Sequence, residues 1–152
     1  MRRRMAVGSD SVHATADSVV AHLEDRGYDV VRLGAAGGDD TPWPEVAEQV
    51  ARLVAQGAVD GGVVCCWTGT GVSIAANKVP GVRAALCRDP ETAAGARRWN
   101  DANVLALSLQ ATAADDARDI VDAWLAVDGA DAEEAENIER VRRLEERYRT
   151  GP

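Results

Sequence analysis

With 152 residues, 17 basic against 25 acidic side chains and a formal net charge of −8, the chain has the size of a single domain, expected over residues 1–152. Its acidic balance argues against nucleic acid and anionic membranes as partners, leaving Arg2-Arg3-Arg4 as a solvated cluster. No apolar stretch approaches the ~20 residues of a spanning helix, and Met5-Ala6-Val7 already reads as a strand with no apolar signal core before it, so a soluble cytoplasmic protein is expected.

Arg4 to Gly8 reads as the first strand, and Asp10 to Arg26 as a helix carrying Val12, Val19, Val20 and Leu23 at helical spacing. Ser9 or Asp10 is the expected cap and Gly27 the expected stop. Asp29 to Leu33 is a second strand, and a glycine-rich loop, Gly34 to Asp40, leads into a helix from Glu45 through Val46, Val50, Leu53 and Val54 to Gln56. Gly62 to Cys66 is a short apolar run suited to a strand buried on both faces of a parallel sheet, and Val72 to Lys78 reads as a short helix. A fourth strand is expected over Val82 to Cys87, a helix over Asp89 to Trp99, and a fifth strand over Val104 to Leu109. Thr112 is placed to cap a helix from Ala113 to Ala126 whose inward face is Ala117, Ile120, Val121 and Leu125. Ala132 to Tyr148 is strongly charged, with Ile138, Val141 and Leu144 on a stripe too narrow for an ordinary core helix. Arg149 to Pro152 are expected to be disordered. Alternating strands and helices predict a three-layer α/β/α Rossmann-like sandwich with a five-stranded parallel sheet and an extra C-terminal helix.

The turn Trp67-Thr68-Gly69-Thr70-Gly71 is the candidate site. Two glycines one residue apart let the backbone turn tightly with its N–H groups facing open space, and a helix start behind them favours negative charge. A nucleotide-triphosphate loop is excluded because Lys78 lies seven residues beyond Gly71, and a dinucleotide fingerprint would need glycine at Ile74. A tight connection with buried structural cysteines is the plain alternative. Cys65, Cys66 and Cys87 form an odd set that, with only His13 and His22 as imidazoles, matches neither a disulfide framework nor a zinc site, so no metal is expected. Cys65 alternates to the face opposite Cys66 and reads as core. For Asp10 a helix cap, and for Asn100 a turn residue before the fifth strand, are open readings.

The run Cys66-x-Thr68-Gly69-x-Gly71-x-Ser73-Ile74-Ala75-Ala76-Asn77-Lys78, followed by Gly81-x-Arg83-Ala84-Ala85 and by Asn100-Asp101-Ala102-Asn103-Val104, resembles the family of ribose-5-phosphate isomerase B and the galactose-6-phosphate isomerase subunits, from about Met5 to Val141. That resemblance implies an aldose-ketose isomerase working through a cis-enediolate, with no metal or organic cofactor. Cys66 would be the general base, Thr68 and the amides of Gly69 to Gly71 the oxyanion donors, and Asp10 a partner of the sugar hydroxyls. The chemistry calls for a base that releases its proton near neutral pH, which a thiol at a strand end facing a helix N-terminus can do. Ser11, Trp67, Thr70, Ser73, Trp99, Asn100, Gln110 and Arg140 complete the implied substrate-binding set. The resemblance further implies a homodimer, with a tetramer also open, whose sites take the last helix and the residues near Asn100 from the partner subunit.

Several positions depart from the family pattern. Ser11 stands where its opening motif has His, Trp99 where it has the ring-opening His, Gln110 and Glu136 where it has phosphate-binding Arg, and Trp67 where it has Gly. An indole N–H donates but accepts no proton, so Trp99 cannot take over ring opening. An unphosphorylated or open-chain sugar, or substitution by Arg97, Arg98, Arg142 or Arg143, follows as an expectation. The rival reading is a non-catalytic sugar- or metabolite-binding member, or a partner subunit, in which Cys66 is an ordinary slow-reacting thiol.

Overall fold

The computed structural model describes residues 2–149. Five strands form one sheet: β1 (Arg4–Ser9), β2 (Asp29–Gly34), β3 (Gly61–Cys66), β4 (Ala84–Leu86) and β5 (Val104–Ser108). The helices are α1 (Ala14–Asp25), α2 (Trp43–Ala55), α3 (Thr70–Ala76), α4 (Pro90–Asn100), α5 (Ala114–Leu125) and α6 (Ala135–Arg149). The strand order is β2-β1-β3-β5-β4 with every pairing parallel, the α/β/α architecture that the alternation of elements predicts.

Strand alternation sorts the core into two layers. Val7, Val63, Cys65, Leu105 and Leu107 face α1, α4 and α5, where Val19, Leu23, Ala93, Ala117 and Ile120 meet them. Ala6, Val64, Cys66, Val104 and Ala106 face α2 and α3, packed on Ala47, Val50, Ala51, Val72 and Ala76. The second layer is closely spaced: a Cβ at Gly8 would fall 2.5 Å from Val46, and one at Gly62 2.5 Å from Val50. Each fully buried valine in these layers contributes on the order of 1.5–3 kcal/mol of transfer free energy.

Several boundaries differ from expectation. α1 starts at Ala14, capped by His13, whose Nδ1 accepts the Thr15 N–H at 3.1 Å; neither Ser9 nor Asp10 is the cap. The reason is local: the Ser9 hydroxyl donates to the Ser11 carbonyl at 2.7 Å, closing a turn that leaves Val12 81% exposed ahead of the helix. α5 begins after Ala113 with no side-chain cap, because Thr112 is buried and its carbonyl accepts the Thr15 hydroxyl at 2.6 Å. Trp124, rather than Leu125, completes the buried face of α5 and lies 5.4 Å from the Arg97 guanidinium. Val82 and Cys87 are buried but lie outside the three-residue ladder of β4. Between α1 and α5, the Asp122 carboxylate accepts from Arg26 at 2.7 Å and meets His22 Nε2 at 2.7 Å. Partial burial opposes its ionisation, but these two partners outweigh that and hold it below the usual carboxylate range.

α6 buries none of its residues, and Val141 (51% exposed) and Leu144 (49% exposed) stand open on its surface. The Glu145 carboxylate ties it to the sheet end by accepting the Gly81 N–H at 2.9 Å. Arg149 is the last residue of α6, and the rest of the tail expected to be disordered lies outside the described residues. Among the described residues no helix is long and apolar enough to cross a membrane.

Candidate functional site

The chain leaves β1 for β2 on one side and returns across it to β3 on the other. In an open α/β sheet such a reversal leaves a crevice at the carboxyl ends of the two central strands, where ligands bind. Asp10 and Ser11 follow β1, and Trp67 to Gly71 follow β3, so the topology brings both stretches to this edge.

Cys66 closes β3, buried at 6% exposure on the α2/α3 side, with Ser108 as its register partner on β5. Cys65 faces the other layer; burial, with smaller contributions from Cys66 and Asp10, pushes its thiol up to about 12. The adjacent pair therefore divides as alternation requires: one cysteine is locked into the core and one sits at the edge.

The turn behind Cys66 is held from β5. The Trp67 carbonyl accepts from the Ser108 hydroxyl and from the Gln110 N–H, both at 2.9 Å. Gly69 then takes φ +77°, and a Cβ there would lie 2.6 Å from Leu86 and 2.9 Å from the Leu107 backbone, so only glycine fits. As the residue before α3, Gly69 offers no side chain to the first-turn amides, which leaves them for another acceptor. The Thr68 and Thr70 hydroxyls lie 2.8 Å apart over this turn. Gly71 packs under Trp43, whose ring would be 3.1 Å from a Cβ, and Ser73 lies half-buried on α3. Trp67 itself is 58% exposed. Asp10 is half-buried, with its Oδ1 accepting the Ser11 hydroxyl at 3.2 Å.

The remaining expected site residues stand elsewhere in the chain. Trp99 and Asn100 end α4, which leads into the start of β5, so they occupy the amino edge of the sheet, opposite Cys66. Asn100 is the last residue of that helix, and the turn that follows is made by Asp101 at φ 52°. There they line a cleft of about 660 Å³ with Asn137, Ile138, Val141 and Leu144 of α6. Arg140, on the same helix, donates to Glu136 at 2.6 Å and to Asn137 at 2.7 Å. Of the arginines considered as substitutes, Arg97 donates to the Ala102 carbonyl at 2.7 Å, Arg98 pairs with Asp131, and Arg142 is held by Glu139 and Glu146. Sequence reasoning missed Trp43, the cover over Gly71, whose sole signal was a large aromatic residue in a Pro-Trp-Pro helix start.

Fold and turn together define a Rossmann-like α/β protein with its candidate site at the topological switch point. The model of the ribose/galactose isomerase family matches residues 5–144, and the chain belongs to that family. It is 40% identical over 146 residues to ribose-5-phosphate isomerase B of Escherichia coli K12, covering 95% of this chain and 98% of that protein. It is 32% identical over 139 residues to D-erythrulose-4-phosphate isomerase of Pectobacterium atrosepticum, covering 90% and 91%. The structure of ribose-5-phosphate isomerase B from Mycoplasma genitalium with bound ribulose-5-phosphate superposes with a TM-score of 0.86 at 34% identity, over 96% of this chain and 98% of that one.

Proposed function

We propose that the chain is an aldose-ketose isomerase that moves a proton between C1 and C2 of a sugar phosphate through a cis-enediolate, with Cys66 as the general base. The observation that carries this reading is the placement of the buried Cys66 thiol directly before a glycine turn whose first-turn amides have no side-chain cap. As Cys66 takes the C2 proton, negative charge develops on the neighbouring oxygen, where the amides of Gly69 to Gly71 and the Thr68 hydroxyl are fixed donors. The proton then returns to C1 while the hydroxyl proton passes from O2 to O1 across the enediolate, so oxidation and reduction stay within one substrate and the step calls for neither metal nor organic cofactor. Asp10 orients the sugar hydroxyls from the end of β1, with Ser11 holding its carboxylate.

The site is completed by a second copy of the chain in a homodimer. Support comes from two features: Trp99, Asn100 and Arg140 lie at the sheet edge opposite Cys66, and Val141 and Leu144 of the α6 stripe stand about half exposed beside the cleft they line.

The test is exchange of the substrate C2 proton with solvent deuterium, followed by NMR over phosphorylated and free aldoses and ketoses, for the wild type and Cys66→Ala. Exchange that falls by at least about 100-fold in the variant is expected for loss of a general base. Exchange that persists in Cys66→Ala would remove Cys66 from the role, and none with any sugar would favour a binding protein or silent subunit.

A further inference from the structure

Beside the Thr68 turn, the carboxyl ends of β4 and β5 hold a second depression, lined chiefly by Thr68, Leu86, Arg88, Thr92, Ser108 and Gln110. Arg88 is the one charged side chain in its lining, in a chain whose net charge is −8. We infer that this depression binds the anionic end of the substrate, a phosphate monoester, and that Arg88 is the residue that selects for it. The identity of the ligand rests on the isomerase reading above; the sign of its charge rests on the lining itself.

Most of the arginines weighed above are committed to other groups, as Arg97, Arg140 and Arg142 are to carbonyls and carboxylates. Arg88 differs. Its side chain is 91% exposed, and its ion pair with Asp89 is a long one, with Nε 3.7 Å from the carboxylate. That carboxylate is already spent on α4, accepting the Thr92 N–H at 2.7 Å, a bond that holds it below the usual carboxylate range. The two terminal guanidinium nitrogens thus remain for the planar, two-pronged recognition that arginine gives to phosphate oxygens.

The rest of the lining suits an anion. Burial pushes the Cys87 thiol up to about 12, so it adds no negative charge. Gln110 is exposed and offers an amide, while Ser108 is occupied in holding the Trp67 carbonyl and accepting the Ala111 N–H, so it shapes the wall. Thr68 belongs both to this lining and to the turn behind Cys66. A sugar whose carbonyl end meets Cys66 can therefore lay its far end toward Arg88.

Two measurements decide the matter. In the first, inorganic phosphate is titrated into ¹⁵N-labelled protein, with Arg88→Gln, Arg88→Lys and the distant Arg52→Gln as variants. Saturable shifts of the Arg88 Nε–H and of the Thr68, Thr92 and Gln110 amides are expected. They should weaken at least tenfold in Arg88→Gln, recover in part in Arg88→Lys and stay unchanged in Arg52→Gln. In the second, Arg88→Gln should raise KM for ribose 5-phosphate about tenfold with kcat within about twofold, and leave any turnover of free ribose as it was. Phosphate shifts confined to α6, or affinities equal in Arg88→Gln and wild type, would overturn the assignment. A wild type that exchanges no C2 proton with any sugar sinks the isomerase reading instead, while the phosphate titration still decides Arg88.

Discussion

Cys65 and Cys66 share a backbone segment and separate in fate because a strand sends successive side chains to opposite faces. That separation carries an energetic consequence for Cys65. Its thiol ordinarily titrates near 9.0, but burial holds it to about 12 in the folded chain. Between those values the unfolded state has lost the proton and the native state keeps it. Stability is therefore fully present below pH 9 and falls as pH rises, by up to about 1.4 kcal/mol per pH unit for this one thiol. Urea unfolding of wild type and Cys65→Ala from pH 8 to 10.5 checks this: the variant, though weaker at neutral pH from its lost sulfur, should show the shallower decline. Parallel declines would mean that the thiol titrates alike in both states. The division of the two cysteines was legible in the sequence, because period-2 alternation needs no knowledge of neighbours. Trp43 over Gly71 and Arg88 beside Thr68 were not, because each contact joins segments whose spacing is set only when the sheet is assembled.

Among the elements, α2 and α5 lie close to where their hydrophobic spacing predicts, whereas the start of α1 shows what a pattern leaves out. Ser9 and Asp10 are the better capping residues by type, but the Ser9 hydroxyl is taken by the Ser11 carbonyl, and the helix waits until His13. The imidazole accepts the Thr15 N–H through Nδ1 and brings no negative charge to the helix N-terminus. Replacing it by aspartate keeps an acceptor within reach of the Thr15 N–H and adds negative charge at the helix N-terminus. His13→Asp should stabilise the chain by about 0.5–1 kcal/mol, whereas His13→Ala should cost about 1 kcal/mol. Thermal and urea unfolding of the three proteins at neutral pH give the ordering. An Ala variant as stable as wild type would show that the His13 contact contributes nothing to folding. The ladder of β4 is short because Ala84 to Leu86 alone pair in register with β5, the Arg83 carbonyl and the Cys87 N–H adding bonds at its ends.

For the whole molecule, parallel topology fixes which groups can meet. Every strand of the sheet ends at the edge where Cys66, Thr68 and Gln110 stand, and every helix between strands carries the chain back to the other edge, where α4 delivers Trp99 and Asn100. The family resemblance implies these residues as one set, whereas the fold of one chain places them at opposite edges of the sheet. In the proposed two-fold dimer the α6 edge of each copy would meet the Cys66 edge of the other, and symmetry would make both junctions equivalent. This gives the proposed dimer a test that size alone does not provide. Cys66→Ala and Asn100→Ala should each be nearly inactive as pure proteins. Unfolded together and refolded as an equal mixture, half of the dimers carry one chain of each kind, and each of these regains one intact site from the two unmutated halves. Recovery of about a quarter of wild-type activity, set by random pairing, is then expected. If both catalytic contributions came from one chain, no mixture would recover anything, since every site would retain one of the two substitutions. Recovery near a quarter would fix Cys66 and Asn100 on opposite sides of a subunit boundary, with the exposed stripe of Val141 and Leu144 as the surface that brings them together.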